Sequence, residues 1–393
     1  MSERLPRQVK LFGAVSLLND FASEMIYPLL PAFVTGVLGG GAVALGALDG
    51  AADAAAALVK LVSGRLADRA TRRGPLIVIG YLVAVVVRPV IAVTAAAWQV
   101  VGLRVVDRLG KGLRTPPRDA LIADVTPEPL RGRAFGLQRG LDHARAVLGP
   151  LVAWWLLTRG ADVRTVIAAS ILPGVAVLVL ALWAVKDGPG RSKTVQVDSP
   201  RPSSTVLDRP GPSFPPALIA ITAFYLLRMP ETLIILHAQR LGVPVAIVPL
   251  LWAAVHVVKS SSSFLGGALS DRVGPSRTMW FGWVCYAVVA AGMSFASTPV
   301  EAWALFLALG LVAGLTESPE RALVAAFAGH RQGSGFGVYH AASGVAALVG
   351  GLLLGVAFQR AGGDSAFLAS AVLALALALL WPFIARAHRV PAR

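Results

Sequence analysis

Charged residues stand inside apolar runs of this chain at spacings that place them on shared helix faces. Asp20 and Glu24 lie four apart in SLLNDFASEMIYPLL, and Asp49 and Asp53 lie four apart in LDGAADAAAA. Side chains four apart on a helix are neighbours. Removing a carboxyl group from water is the usual way to make it exchange a proton near neutral pH. Asp20 and Glu24 are therefore candidate proton carriers, joined by Glu231 of RMPETL and by His143 of LDHAR, since imidazole titrates in the same range. A basic stripe follows: Arg104, Asp107, Arg108, Lys111, Arg114 and Arg118 recur at three- and four-residue spacing. Each charge facing lipid at mid-membrane would cost about 2.5–3.5 kcal/mol, so these five cations must face protein or water. Arg104, Arg108 and Lys111 could attract an anionic solute. With Asp142, Arg228 and His256 they make up the candidate substrate-binding set. Asp107 can pair with Lys111 one turn on, and Arg114 and Arg118 are expected to be solvated charges at a helix end. Asp142, His143 and Arg145 are too close together to share one helix face, so at least one of them is expected to be structural.

Other chemistries lack their residues. Cys285 is the only cysteine, which rules out an intrachain disulfide and a cysteine-based zinc or iron–sulfur site. No phosphate-cradling G-x-x-x-x-G-K-[ST] loop and no H-E-x-x-H pair is present, and no nucleophile elbow appears. The sequence thus points to no catalytic residue, no metal and no cofactor, and to a proton gradient as the source of drive.

The elements that must position these groups are set by composition. The 393 residues are 56% hydrophobic and only 15% charged, with mean hydropathy +0.69, against about 25% charged in soluble domains. The net charge of +15 would suggest nucleic acid, but no domain-sized stretch is polar enough to carry a basic face in water. A helix needs about 20 apolar residues to cross a bilayer, and lipid leaves no alternative partner for open backbone groups. Gly, Pro and charge divide the chain into twelve such stretches near residues 11–35, 43–63, 75–95, 98–120, 134–157, 163–185, 215–237, 244–265, 278–297, 300–323, 335–358 and 364–385. The first carries Asn19, Asp20 and Glu24 and no small-residue cleavage site, so it is read as a retained span rather than a leader. Arg and Lys crowd the ends and alternate loops, such as Arg69, Arg72, Arg73, Arg131, Arg133, Arg272 and Arg277, while the opposite loops hold Arg159, Arg164, Arg240 and Arg360. That asymmetry puts both termini in the cytoplasm and the chain in the cytoplasmic (inner) membrane.

A Pro- and Ser-rich segment at 187–214 reads as a cytoplasmic linker, dividing a six-helix bundle at 1–186 from a second at 215–393. The two halves echo each other. SGRLADRATRRG is matched by GGALSDRVGPSR, with Asp68 and Asp271 203 positions apart; GLRTPPRDALIA is matched by GLTESPERALVA; AFGLQRGLDHARAVLG is matched by GFGVYHAASGVAALVG. The same register pairs Asp53 with His256 and, at slightly greater offset, Glu24 with Glu231. Such parallel repeats are a standard plan for transporters.

At these residues the sequence resembles a known family. The G-x-L-x-D-R pattern of Gly64–Arg69 and Gly267–Arg272 resembles the signature loop of the major facilitator superfamily. RLGKG (Arg108–Gly112) resembles its membrane-embedded R-x-x-x-G motif. Gly136, Gly149 and Pro150 resemble the glycine ladder of its drug/proton antiporters, although Arg145 stands where the middle glycine falls. The resemblance implies an all-α integral membrane fold of twelve helices in two pseudo-symmetric six-helix bundles, with spans one and seven lining a central cavity. It implies a role for Arg108 in proton transfer or substrate binding. It also implies that Asp68, Arg69, Asp271 and Arg272 form a conformational latch, in which each carboxylate meets a helix amino terminus, a contact worth about 0.3–1 kcal/mol. The expected function is secondary transport of a small organic solute by alternating access, as proton-coupled export. Proton-coupled uptake of an anionic solute or metal chelate stands second, and a non-transporting membrane receptor or scaffold third. The expected partners are a small-molecule substrate, protons and the lipid bilayer, with no nucleic acid, and the chain is expected to be a monomer.

Overall fold

The computed structural model describes residues 7–69, 74–125, 146–186, 216–328 and 332–387. Among these, each of the twelve apolar stretches contains helix. They are α1 (Arg7–Ile26), α2 (Ala42–Arg69), α3 (Gly74–Val90), α4 (Ala97–Val125), α5 (Ala146–Thr158), α6 (Val163–Ala169 and Ile171–Lys186), α7 (Pro216–Leu227 and Glu231–Arg240), α8 (Val248–Val273), α9 (Pro275–Phe295), α10 (Pro299–Ala328), α11 (Gln332–Ala361) and α12 (Gly363–Ala387). Nine of the described helices are long and apolar enough to cross a membrane. α1 and α4 fall short by composition, because they carry the buried charges. Large apolar side chains such as Leu172, Trp183, Leu379 and Phe383 point outward from α6 and α12, the reverse of a water-soluble surface and the arrangement lipid requires.

Proline breaks two helices where the site needs them broken. Pro28 and Pro31 cannot donate to the helical ladder, and after Ile26 the chain tightens into a 3₁₀ turn (Tyr27–Leu29) and then loosens into a π turn (Phe33–Val37). In α7, Pro230 takes extended ψ and starts the second half-helix at Glu231, and Met229, restricted by the following proline, gives its amide to the Tyr286 hydroxyl at 2.7 Å. Gly274 is the whole connection between α8 and α9, at φ 92°, a conformation that costs glycine little. At the opposite end of the bundle Asp162 caps α6, its carboxylate accepting the Thr165 amide at 2.8 Å. Hydrogen bonds from the Thr165 side chain and amide hold that carboxyl below its ordinary range.

Packing repeats between the halves. α2 lies on α4 as α8 lies on α10; α3 lies on α4 and α6 as α9 lies on α10 and α12. Each half also has a serine-to-glycine bond, from α2 to α4 and from α8 to α10, one turn apart in the repeat register: the Ser63 hydroxyl donates to the Gly112 carbonyl at 2.7 Å, and the Ser262 hydroxyl donates to the Gly310 carbonyl at 2.6 Å. Each serine lies three residues after a lysine, Lys60 or Lys259. The carboxy-terminal half holds a stack of large rings, Phe224, Trp283, Tyr286 and Trp381, with centroids 5.3–5.6 Å apart. The amino-terminal half has a smaller apolar cluster of Phe12, Val15, Ile77, Tyr81 and Val177.

The halves are sealed to each other along α2 and α11, toward the end of the bundle remote from the chain termini. Gly46 and Gly351 bring the two backbones together; a methyl at either would collide with the other's carbonyl. Gly50 is pressed in the same way onto Leu348. Gly46→Val is expected to destabilise by about 1–3 kcal/mol, as overpacking does, and to raise amide hydrogen exchange over residues 42–50 and 348–355. Unchanged melting and unchanged exchange would mean that this crossing does not hold the seal.

Candidate functional site

Below the seal lies a cavity of about 350 Å³ lined from both halves, in the size range of small-molecule sites. The amino-terminal half contributes Glu24, Tyr27, Asp49, Asp53, Arg104 and Arg108; the carboxy-terminal half contributes Tyr225, Arg228, Glu231, Trp252, His256 and Glu317. The repeat-related pairs Glu24/Glu231 and Asp53/His256 thus meet across one space.

Two hydrogen-bond systems cross between the halves here. The indole Nε1 of Trp252 donates to Glu24 Oε2 at 2.9 Å. One turn further along the chain, at the break after α1, the Tyr27 hydroxyl donates to Asp49 Oδ1 at 2.8 Å. Asp49 Oδ2 accepts from the Thr232 amide at 3.2 Å and the Thr232 hydroxyl at 2.8 Å. Asp49 of one half therefore caps the amino terminus of a half-helix that belongs to the other, a contact made possible by Pro230 and favoured by the helix dipole. Tyr27 and Trp252 pack at 4.8 Å between centroids, and the Arg104 guanidinium sits 5.3 Å from the Tyr27 ring. His256 Nδ1 donates to the Trp252 carbonyl at 3.0 Å, which leaves Nε2 as the ring nitrogen free to accept.

Glu231 is bound by two cations, Lys259 Nζ and Arg228 Nη2, the latter at 3.6 Å. Glu24 has no ion pair among the described residues, and its described hydrogen bond comes from the neutral indole. Of the acids that the sequence singles out as proton carriers, Glu24 alone combines a place on the cavity wall with a neutral partner from the other half. Asp20 is not on that wall. It accepts from Asn19 at 2.7 Å and faces Arg114 at 3.7 Å, so one turn of α1 separates an acid packed against α4 from one in the cavity.

The basic stripe of α4 divides in the same way. Asp107 is 1% exposed and bonded to Arg88 Nε of α3 at 3.0 Å and to Arg104 Nη1 at 3.4 Å; it is these arginines, not Lys111, that it holds. Arg114 is not a solvated end charge: it is 2% exposed, donates to the Gly80 carbonyl at 3.1 Å and lies over the Tyr81 ring. Arg118 donates to the Ser16 hydroxyl at 2.9 Å. Arg104 and Arg108 remain for the cavity, each with its Nε buried and without a hydrogen-bond partner. Lys111 is half-buried but not on the cavity wall.

Asp142, His143 and Arg145 lie outside the described residues. Asp68, Arg69 and Asp271 lie near the ends of α2 and α8, but their side chains are outside the described set; Arg272 is exposed. Gly149 of α5 rests on the α1 backbone at Phe21 and Met25, the close approach that its place in the glycine ladder suggests. Lys259, Trp252, Tyr27, Glu317 and Glu320 belong to the site region without having been singled out by sequence. For Lys259, Glu317 and Glu320 the signal was there, a charge inside an apolar run.

A multi-pass helical membrane protein, with a charged cavity at the joint of two repeated halves, is the class that this geometry defines. The sequence profile of the Major Facilitator Superfamily matches residues 12–319 and 216–393, and the chain belongs to that family. It is 27% identical to an MFS-type transporter of Methanocaldococcus jannaschii, described as uncharacterised, over 97% of this chain and 95% of that one. It is 32% identical to an uncharacterised protein of Mycobacterium tuberculosis over 98% and 94%. Over 39% of each chain it is 32% identical to the multidrug resistance protein MdtH of Photorhabdus laumondii. Among solved structures it superposes on the nucleoside transporter NupG with TM-score 0.74 at 13% identity, covering 96% of this chain and 99% of that one. It superposes on a D-xylose–proton symporter with TM-score 0.70 at 15% identity, covering 95% and 96%. At such identities the likeness is one of fold.

Proposed function

We propose that this chain is a secondary active transporter of the cytoplasmic membrane that exports a small organic solute in exchange for protons, with both termini in the cytoplasm. The bundles at 1–186 and 215–393 rock about the shared cavity, joined by the linker at 187–214. The observation that carries this reading is the bond from Trp252 to Glu24. A carboxylate on the wall of a solute-sized cavity is held by a donor from the opposite half, so its charge and the closure of the halves are linked. Protonating Glu24 turns a charge-assisted hydrogen bond into a neutral one of roughly half the strength, which loosens the seal. Glu231, fixed between two cations, serves as the counter-charge that keeps Arg228 and Lys259 soluble in the membrane interior. The partial match to multidrug resistance proteins supports export. A second reading is uptake of an anionic solute, favoured by the two guanidinium groups, Arg104 and Arg108, among the residues that line the cavity.

Reconstitution in liposomes with an imposed pH gradient tests the reading, with ethidium as the first of a panel of organic cations and carboxylates. Movement of a solute against its own gradient, reversed when the pH gradient is reversed, is the expected result. Solute flux that ignores the gradient would remove proton coupling. The signature loops give a further expectation. Asp68→Asn should weaken the latch at the cytoplasmic ends, lowering transport and changing which end of the cavity accepts water-soluble thiol reagents. Unaltered transport with unaltered accessibility would contradict the latch.

A further inference from the structure

Glu320 of α10 is 1% exposed and has no cation partner among the described residues. Its Oε2 accepts two phenol hydroxyls, Tyr225 at 3.3 Å from α7 and Tyr339 at 3.1 Å from α11. The two hydroxyls are themselves 3.2 Å apart, and their rings meet edge to face. The other two fully buried acids among the described residues are paired with cations, Asp107 with Arg88 and Arg104 and Asp20 with Arg114. A buried charge without a partner is costly, whereas the neutral acid in a hydrogen-bonded site is not. Tyr225 also lines the central cavity, so one hydroxyl separates the buried carboxyl from cavity water.

No cation among the described residues is in ion-pair contact with Glu320; Arg228 acts on it through space, but its contact is with Glu231. On α10 itself the cavity-lining Glu317 is one turn away and Arg321 is exposed. α7 presents Arg228, which pairs with Glu231, and α11 presents His340, which is exposed. α8 presents Lys259, bound to Glu231, and His256, bound to Trp252; α9 presents Tyr286, bound to Met229 and Ser370.

We infer that Glu320 is a second proton-carrying site, in the carboxy-terminal half, filled and emptied through the Tyr225 hydroxyl. In the loading step, Tyr225 passes its O–H proton to Glu320 Oε2 and takes one from a protonated cavity water. One proton leaves the water, one O–H bond forms on the carboxyl, and the phenol ends as it began. Release is the reverse. The inference rests on the proton-coupled reading above and adds to it a carrier that the repeat does not duplicate, since Arg118 occupies the matching place in GLRTPPRDALIA.

Infrared spectroscopy of the full chain in lipid nanodiscs tests it without a substrate. A carbonyl stretch from a protonated carboxyl is expected at neutral pH. It should be lost in Glu320→Gln, shifted in Tyr225→Phe and in Tyr339→Phe, and kept in Glu24→Gln. Gln keeps an acceptor oxygen for the phenols, so thermal melting should stay close to that of the parent chain. In liposomes Glu320→Gln should lose gradient-driven ethidium movement while keeping downhill exchange. A spectrum of Glu320→Gln identical to that of the parent chain would overturn the inference, and so would retained uphill movement. If the parent chain itself ignores the pH gradient, the transport reading fails, and the infrared band still reports whether Glu320 holds a proton.

Discussion

Glu24→Gln is expected to abolish uphill solute movement while leaving exchange of solute down its own gradient intact. Gln keeps the size of Glu and keeps an oxygen to accept the Trp252 indole at the observed 2.9 Å, so the cavity wall and the cross-half contact persist. What disappears is the ability to gain and lose a proton. The expected loss of gradient-driven flux is to the level of empty liposomes, about 10²-fold or more by comparison with other proton-transfer groups. The companion change Trp252→Phe keeps the ring that packs on Tyr27 and His256 but removes the donor. It should leave protons able to bind and uncouple them from closure, giving a solute-independent proton leak. Retained uphill transport in Glu24→Gln would move the carrier elsewhere.

The second large effect concerns stability. Asp107→Leu should destabilise the amino-terminal half by about 3–5 kcal/mol, because it strands two buried guanidinium groups. Arg88 and Arg104 are 2% and 1% exposed, and both bond to this carboxylate. Arg88 has a second anchor in Asn19, through both its carbonyl and its side chain, so Arg88 would keep α1 and α3 together while its charge went unbalanced. Arg104, held over Tyr27, would lose the carboxylate that its Nη1 meets at 3.4 Å. Thermal unfolding in detergent should show a large drop in Asp107→Leu and partial recovery in the double variant Arg88→Met, Asp107→Leu, in which one stranded charge is also removed. A single variant as stable as the parent would show that water reaches this cluster.

These two sites also mark how far the sequence carries. The helices are legible because the membrane demands about 20 apolar residues for each crossing, and the breaks at Pro28 and Pro230 are legible from the missing amides. The pairing of Glu24 with Glu231, and of Asp53 with His256, across one cavity follows from the repeat. The rotation of α4 does not. Spacings of three and four put Arg104, Asp107, Arg108, Lys111, Arg114 and Arg118 on one broad stripe, but which of them turn to the cavity is decided by Arg88 of α3 and Asp20 of α1, partners on other helices that no local rule identifies. Asp20 and Glu24 show the same limit. They share a face by spacing, yet one turn of rise carries the chain from the α4 contact to the cavity wall. Trp252 was illegible as a partner of Glu24 because an indole in an apolar run looks like any lipid-facing or core ring. Glu320 escaped notice for the opposite reason: in GLTESPERALVA it looks like the acid of an Arg-rich loop end, and only the fold places two phenols over it.

The central claim is that the halves rock about this cavity and that the charge on Glu24 biases the movement. Spin labels at Ala95 and Ser297, exposed at the sealed end in the repeat-related loops before α4 and α10, report that movement as a distance in lipid nanodiscs. The account predicts a longer Ala95–Ser297 distance, or a larger share of the longer one, as pH falls and Glu24 loses its charge-assisted bond to Trp252, with the pH response removed in Glu24→Gln. One unchanging distance across pH, or the same response with and without the Glu24 carboxyl, would contradict it.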